Sequence, residues 1–211
     1  MPAQLLPLFP LQVVVFPRTR LPLHIFEDRY KRMVGEAIQE KGEFGIVLAR
    51  EKNIAEAGCT VAVEKVVHRY PDGRMDILTR GQRRFEIESL DEELDFLRAE
   101  VRYFDDDDSA EAGTEPEIRK QVLRHFGLLQ KLSSAQGREA PNLEDPQLSF
   151  QLAQALPDLD FLSGLLQQRS EASRLKQLNH YLAEYIPRQR AIERVQAVAP
   201  GNGYGGKRGG L

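Results

Sequence analysis

The chain has no tryptophan, one cysteine, no apolar run of membrane-spanning length and no excess of basic residues. A lone thiol, Cys59, excludes an internal disulfide and a cysteine metal cage, so the expected compartment is the reducing cytosol. The longest apolar stretch ends at Arg18 and Arg20, short of the roughly 20 residues that cross a bilayer. The opening MPAQLLPLFPLQVVVFP lacks a basic leader, and Pro7, Pro10 and Pro17 break any helix there. It reads as neither signal peptide nor anchor, and the protein is expected to be cytoplasmic. Lys and Arg total 29 against 32 Asp and Glu, a net charge of -3, which argues against a nucleic-acid partner.

What is present is enough apolar side chain for a core, 41% of 211 residues, a length that fits one large domain or two small ones. Residues 1–104 read mostly as strands. Leu5 to Leu11 and Val13 to Phe16 are short runs with prolines, suited to edge strands, and Pro22 to Phe26 is another. From Glu27 the period changes: Tyr30, Met33, Val34, Ala37 and Ile38 recur at helical spacing until Lys41 and Gly42 stop the pattern. Strand patterns return at Phe44 to Ala49 and from Thr60, where a slip at Val66 and Val67 predicts a bulge. Pro71, Asp72 and Gly73 predict a hairpin turn before Met75, Ile77 and Thr79, and Leu97, Ala99, Val101 and Tyr103 alternate with charged neighbours. Several short strands around one helix predict a small curled sheet or pseudo-barrel.

Residues 105–115, opening on Asp105 to Asp108, carry no apolar period and read as a solvated acidic linker. From 116 to 198 the period is helical, predicting a bundle. Ile118, Val122, Phe126, Leu129 and Leu132 form one stripe, and Leu148, Leu152 and Leu156 another. A helix is expected after Pro157 and Asp158, then a longer one along Leu175, Leu178, Leu182, Tyr185 and Ile186 that Pro187 should kink or end before Ile192 and Val195. Residues 199–211 are Gly-rich and expected to be disordered. The fold class is therefore α+β: a β pseudo-barrel with one embedded helix, then a helical bundle.

The chemistry-bearing patterns are weak. Gly201, Gly206 and Lys207 have phosphate-loop spacing, but Arg208 follows in place of Ser or Thr and no strand precedes. His24, His68, His125 and His180 are each more than 40 residues from the next, so none has the local partner of a metal site and no metal or cofactor is expected. Cys59 reads as a small buried hydrophobe. Arg80, Arg83 and Arg84 cluster around Gly81, which suggests a bulge ringed by solvated arginines. The apolar, Pro-rich segments Leu8 to Phe16 and Leu21 to Phe26 exceed what edge strands need; they are either core or an apolar peptide site.

The stretch LPLFPLQVVVFPRTRLPLHIFEDRYKRMV, Leu6 to Val34, resembles the opening of the N-terminal domain of Lon proteases, above all the small standalone Lon-domain proteins of bacteria. LPLFPL, VVFP and LPLHIFE-x-RY stand at the family's spacing; TRGQRRFEI at Thr79 to Ile87 and EASRLKQLNHYL at Glu171 to Leu182 resemble its later motifs. Arg18 stands where the family usually has Gly after Phe-Pro, which puts the local turn in question. The resemblance implies a pseudo-barrel followed by helices, and a role in recognising polypeptide. It does not bring an enzyme: the expectation is a non-catalytic binding module in protein quality control, without Lon's ATPase and Ser-Lys protease modules. Unfolded or tagged polypeptide is the expected ligand, a protease or chaperone a further partner, and a homodimer an open option. Phe16, Leu23, Ile25, Phe26 and Tyr30 are the candidate peptide-binding residues. The rivals are a small-ligand or hydrolytic protein using Glu27, His68 and Arg84 at the barrel mouth, and an RNA-binding barrel.

Overall fold

The computed structural model describes residues 5–107, 116–132 and 141–198. The phosphate-loop-like Gly201, Gly206 and Lys207, the Gly-rich end and most of the acidic segment 105–115 lie outside them. Among the described residues there are six strands and five helices. They divide into two compact units, one within Met1–Glu111 and Pro141–Arg174, the other within Ala112–Ala140 and Leu175–Leu211.

The first unit is built on a partly closed ring of strands. In order across the sheet these are β2 (Arg20–Ile25), β5 (Met75–Asp91), β4 (Ile54–Arg69), β3 (Glu43–Ala49), β1 (Leu6–Leu11) and β6 (Arg98–Phe104). β6 also pairs with β5, which closes the ring. β1 and β3 run parallel, with β2 and helix α1 (Asp28–Glu40) in the crossover; the other ladders are antiparallel. Leu6, Leu8, Val47, Phe85 and Ala99 from β1, β3, β5 and β6 form a shared apolar cluster.

Strand β5 serves two neighbours on one side. Its first half pairs with β2 through Arg80 and its second half with β6 from Arg84. The handover is at Gly81, whose N–H donates to the Thr19 carbonyl and whose carbonyl accepts from Arg18 N–H, both at 2.8 Å. A Cβ there would lie 2.1 Å from the Phe16 carbonyl oxygen, so no residue larger than glycine fits. The ladder to β4 also shifts register here, between Cys59 and Val61, which accords with the expected bulge.

The sequence pattern explains most of these elements. α1 buries Tyr30, Met33 and Val34, and its left-handed cap residue is Lys41, φ 53°, with Gly42 N–H donating to Ala37 carbonyl at 2.9 Å. The hairpin turns where Pro71 to Gly73 predict it, Gly73 taking φ 84°. Beyond it Met75, Ile77 and Thr79 are buried. The register shifts between Val66 and His68 as the slip in alternation implies. Val13 to Phe16, expected as a strand, is not one. It leads into a turn in which Thr19 Oγ1 donates to the Phe16 carbonyl at 2.7 Å, so its backbone bonds locally rather than in a ladder.

The helices expected as one bundle fall into both units. α3 (Leu148–Ala153) and α4 (Leu159–Gln167) group with the strands. Asp158 caps α4 by accepting from Phe161 N–H at 3.0 Å. The second unit holds α2 (Pro116–Leu132), with Val122, Phe126 and Leu129 buried, and the greater part of α5 (Glu171–Val198), with Leu178, Leu182 and Ile186 buried. Asn179 donates to Gln121 Oε1 at 3.1 Å and its Oδ1 lies 3.0 Å from His125 Nδ1, tying the two helices. Pro187 lies inside α5, which continues past it.

Candidate functional site

The five candidate peptide-binding residues separate into two groups. Phe16 and Ile25 are fully buried and Tyr30 nearly so, with Phe16 stacked on Phe150 at 4.7 Å and Tyr30 against Phe9 at 4.0 Å. Leu23 is half-buried on β2, and Phe26, just past the strand, is 59% exposed. The apolar excess of this segment is thus mainly core, and Phe26 is the member that meets solvent.

Phe26 belongs to a larger exposed face. Register places His24 of β2 and His68 of β4 on either side of Asp76 in β5. Phe26 stacks on His24 at 5.9 Å, His24 meets the edge of Tyr70 at 5.9 Å, and His68 meets Tyr70 edge-on at 4.4 Å. Asp76 sits beneath this row: its Oδ1 is 2.6 Å from His24 Nδ1 and its Oδ2 accepts from Tyr70 hydroxyl at 2.8 Å. An ionised carboxylate only accepts, so His24 carries its proton on Nδ1. These bonds, His24 first and Tyr70 second, hold the Asp76 carboxyl below its ordinary range, and the same bond raises the Tyr70 hydroxyl. Beside it Arg74 lies 4.9 Å over the Tyr70 ring and donates to Asp72 at 2.6 Å. Sequence spacing gave these histidines no local partner; strand pairing brings His24 to Asp76 across 52 residues and sets His68 opposite the same aspartate.

A second constellation centres on two buried arginines. Arg84, expected to be solvated, is 1% exposed. It donates to the Leu166 and Gln168 carbonyls at 3.0 and 2.9 Å and to Asp106 Oδ1 at 2.6 Å. Arg174, fully buried, binds both oxygens of Asp106 at 2.6 Å, Glu171 Oε2 at 2.8 Å, Ser149 Oγ at 2.9 Å and the Gln168 carbonyl at 2.7 Å. Both guanidiniums lie over Phe150, at 5.4 and 4.2 Å. Asp106 therefore does not behave as part of a solvated linker. Burial would raise its carboxyl, but the bonds and charge of Arg174 and then Arg84 outweigh that and hold it at about 2. Glu171 goes the other way, raised by burial despite its bonds to Ser149 and Arg174. Two cations and two carboxylates balance, and among the described residues no buried side-chain polar atom lacks a partner. Each oxygen of Asp106 and of Glu171 accepts a bond within the set. Arg84 and Arg174 come from the two later motifs, TRGQRRFEI and EASRLKQLNHYL, and meet on one aspartate.

The remaining candidates are dispersed. Glu27 pairs with Arg29, His68 is on the exposed face and Arg84 is buried, so the proposed barrel-mouth trio sits in three settings. Cys59 is fully buried and its thiol is pushed up to about 12, chiefly by burial, which leaves no thiolate for nucleophilic work. Among the described residues no group of three or more His, Cys, Asp and Glu is placed to hold a metal, and no helix is long and apolar enough to cross a membrane. A shallow groove of about 430 Å³ runs between the end of α1 and β4, lined by Ala37, Ile38, Lys41, Ala62, Val63 and Val66 among others. Arg18 sits in a left-handed turn: it takes φ 63° and its side chain reaches Asp145 at 2.6 Å.

Comparison with known proteins agrees with this architecture. Residues 5–184 match the family model described as the substrate-binding domain of the ATP-dependent protease La (Lon). Lon protease 2 of Syntrophobacter fumaroxidans is 24% identical over 200 residues, 87% of this chain and 25% of that protein. Lon protease of Parabacteroides distasonis is 26% identical over 110 residues, 48% of this chain and 13% of that protein. The chain thus spans a quarter or less of these relatives. Among solved structures, the Lon N-terminal domain protein from Xanthomonas campestris superposes with a TM-score of 0.66 at 26% identity, covering 83% of this chain and 96% of that one. The N-terminal domain of Mycobacterium avium complex Lon protease gives 0.58 at 20% identity, covering 85% and 98%. With a family match over most of its length and a strand ring of the same fold, the chain belongs to the Lon substrate-binding domain family.

Proposed function

We propose that this chain is a non-catalytic polypeptide-binding module, which holds unfolded or tagged segments for a protease or chaperone partner in cytoplasmic protein quality control. The observation that carries it is the open aromatic row of Phe26, His24, Tyr70 and His68 on a Lon substrate-binding fold. Phe26 is 59% exposed beside half-buried Leu23 and continuous with the His24, Tyr70 and His68 rings, so its apolar surface is part of a patch rather than a lone exposed side chain. Among the described residues β2 is an edge strand paired on one side with β5, and Pro22 on it limits edge-to-edge pairing. The perturbed groups of the other constellation are consumed by one another, which favours binding over catalysis.

The test is fluorescence anisotropy of a labelled, permanently unfolded polypeptide titrated with the protein, beside its folded counterpart and without nucleotide. Saturable binding to the unfolded form, weakened several-fold by Phe26→Ser with the thermal transition unchanged, is expected. Equal affinity for folded and unfolded forms, or no effect of Phe26→Ser, would sink the reading.

A further inference from the structure

We propose that the exposed face selects polypeptide segments carrying an arginine or lysine next to apolar residues, with Asp76 as the counter-charge and the Phe26–His24 stack as the apolar wall. This deepens the polypeptide-binding reading and rests on it.

A carboxylate offers about four lone-pair directions. His24 and Tyr70 occupy one on each oxygen of Asp76, and the side chain remains 35% exposed, so acceptor capacity is left facing solvent. The flanking rings present π faces and edges around a fixed negative charge, which suits a cation carried on an apolar stem. The structure already shows such an arrangement once: Arg74 lies over Tyr70 with its guanidinium held by Asp72. Two of the neighbouring cations are already paired. Arg74 pairs with Asp72, and Lys31 of α1 pairs with Asp28 and donates to the Asp72 carbonyl at 3.3 Å. Asp76 is bonded to the His24 imidazole and the Tyr70 phenol and feels the charge of His68 as well, and among the described residues no guanidinium or ammonium pairs with it. A glutamate or aspartate on the incoming segment would meet that charge directly and be rejected.

The experiment titrates the full chain with three versions of one labelled unfolded polypeptide, identical in apolar residues, whose charged positions are all arginine, all glutamine or all glutamate. Arginine is expected to bind about tenfold tighter than glutamine at low salt, and glutamate more weakly than both. Asp76→Asn keeps the side chain's size and should bring the arginine version down to the glutamine level. Asp72→Asn, which removes a carboxylate already paired with Arg74, should leave the preference in place. If Asp76→Asn retains the tenfold preference, or Asp72→Asn abolishes it equally, the assignment to Asp76 is overturned while polypeptide binding stands. Failure of all three versions to bind the unaltered protein overturns the polypeptide-binding reading, and this inference with it.

Discussion

The chain uses the same three ingredients, carboxylate, cation and aromatic ring, in two regions with opposite outcomes. Around Asp106 two guanidiniums are closed off from water, two half-buried carboxylates and the rings of Phe104 and Phe150 surround them, and every buried side-chain donor finds an acceptor. Around Asp76 the carboxylate is met by an imidazole and a phenol, the rings lie open, and acceptor capacity remains. Strong pKa perturbation alone would direct attention to the first region. Saturation shows instead that it is a bolt fastening β5, the segment after β6 and the first turn of α5, and that the second region has something left to offer a partner.

The sharpest way to break this contrast is to take one charge from the closed set. Arg174→Met removes the main partner of half-buried Asp106 and one partner of Glu171, and should cost about 3 kcal/mol. Urea denaturation reads this as a lower midpoint. On the open face, Asp76→Asn should move the midpoint far less, because its carboxylate is partly exposed and the amide oxygen can still accept from one of its two partners. Equal costs at the two sites would mean that the closed region is no bolt.

Much of the first unit was legible because its signals are local. Turn chemistry at Pro71 to Gly73 fixed the hairpin, the change of period at Glu27 fixed α1, and the slip at Val66 fixed a bulge. The bolt was illegible for a physical reason. Arg84 and Asp106 look like any arginine of a basic cluster and any residue of an acidic run, and the partner that ties Asp106 down, Arg174, is 68 residues further on. The resemblance did carry the bolt in disguise, since Arg84 and Arg174 stand in the two later motifs. Of the binding residues, Phe16, Ile25 and Tyr30 could not be told from Phe26 by hydrophobicity; depth decides, and depth comes from stacking on Phe150 and Phe9. His24 and His68 needed a strand register that no spacing encodes.

A smaller effect sharpens the comparison through pH. The Asp106 carboxyl, at about 2 in the fold against 3.8 ordinarily, contributes stability that is complete above about pH 4 and is lost as pH falls through 2. The difference amounts to about 2 kcal/mol. Glu171, raised by burial, acts with the opposite sign: its contribution is present below its ordinary range and lost as pH rises through its shifted value. The acid limb is therefore isolated by comparing the protein with Asp106→Asn. Denaturation midpoints followed from pH 5 to pH 2 should fall less steeply in the variant. Parallel curves would mean that Asp106 is not held by the arginines.

Phe26→Ser and Phe16→Ala make the same contrast with phenylalanine. Phe16, buried and stacked, should cost about 3–5 kcal/mol, against no more than about 0.5 kcal/mol for exposed Phe26. Calorimetric transitions of the two variants check it, and a comparable loss at Phe26 would place that ring in the core and remove it from the binding face.

Arg18 lies between the two regimes, with an exposed guanidinium paired to an Asp145 that is only 8% exposed. Its φ of 63° costs an L-residue about 1 kcal/mol, a cost that glycine escapes. Arg18→Gly removes this strain but also the ion pair, and it adds freedom to the unfolded chain worth about 0.4–1 kcal/mol. Asp145 still accepts from Gln147 N–H at 2.8 Å and from Gln151 at 2.6 Å, so it is not left bare. The gains and losses nearly cancel, and the glycine variant should match the parent within about 1 kcal/mol. Arg18→Ala loses the same ion pair and keeps the left-handed backbone, so it should fall below the glycine variant by a fraction of a kcal/mol, about the strain less the chain-entropy difference. Melting curves of the pair decide the order. Alanine above glycine would show that the turn at Arg18 relaxes out of the left-handed region once its tie to Asp145 is cut, and that the ion pair holds the backbone there.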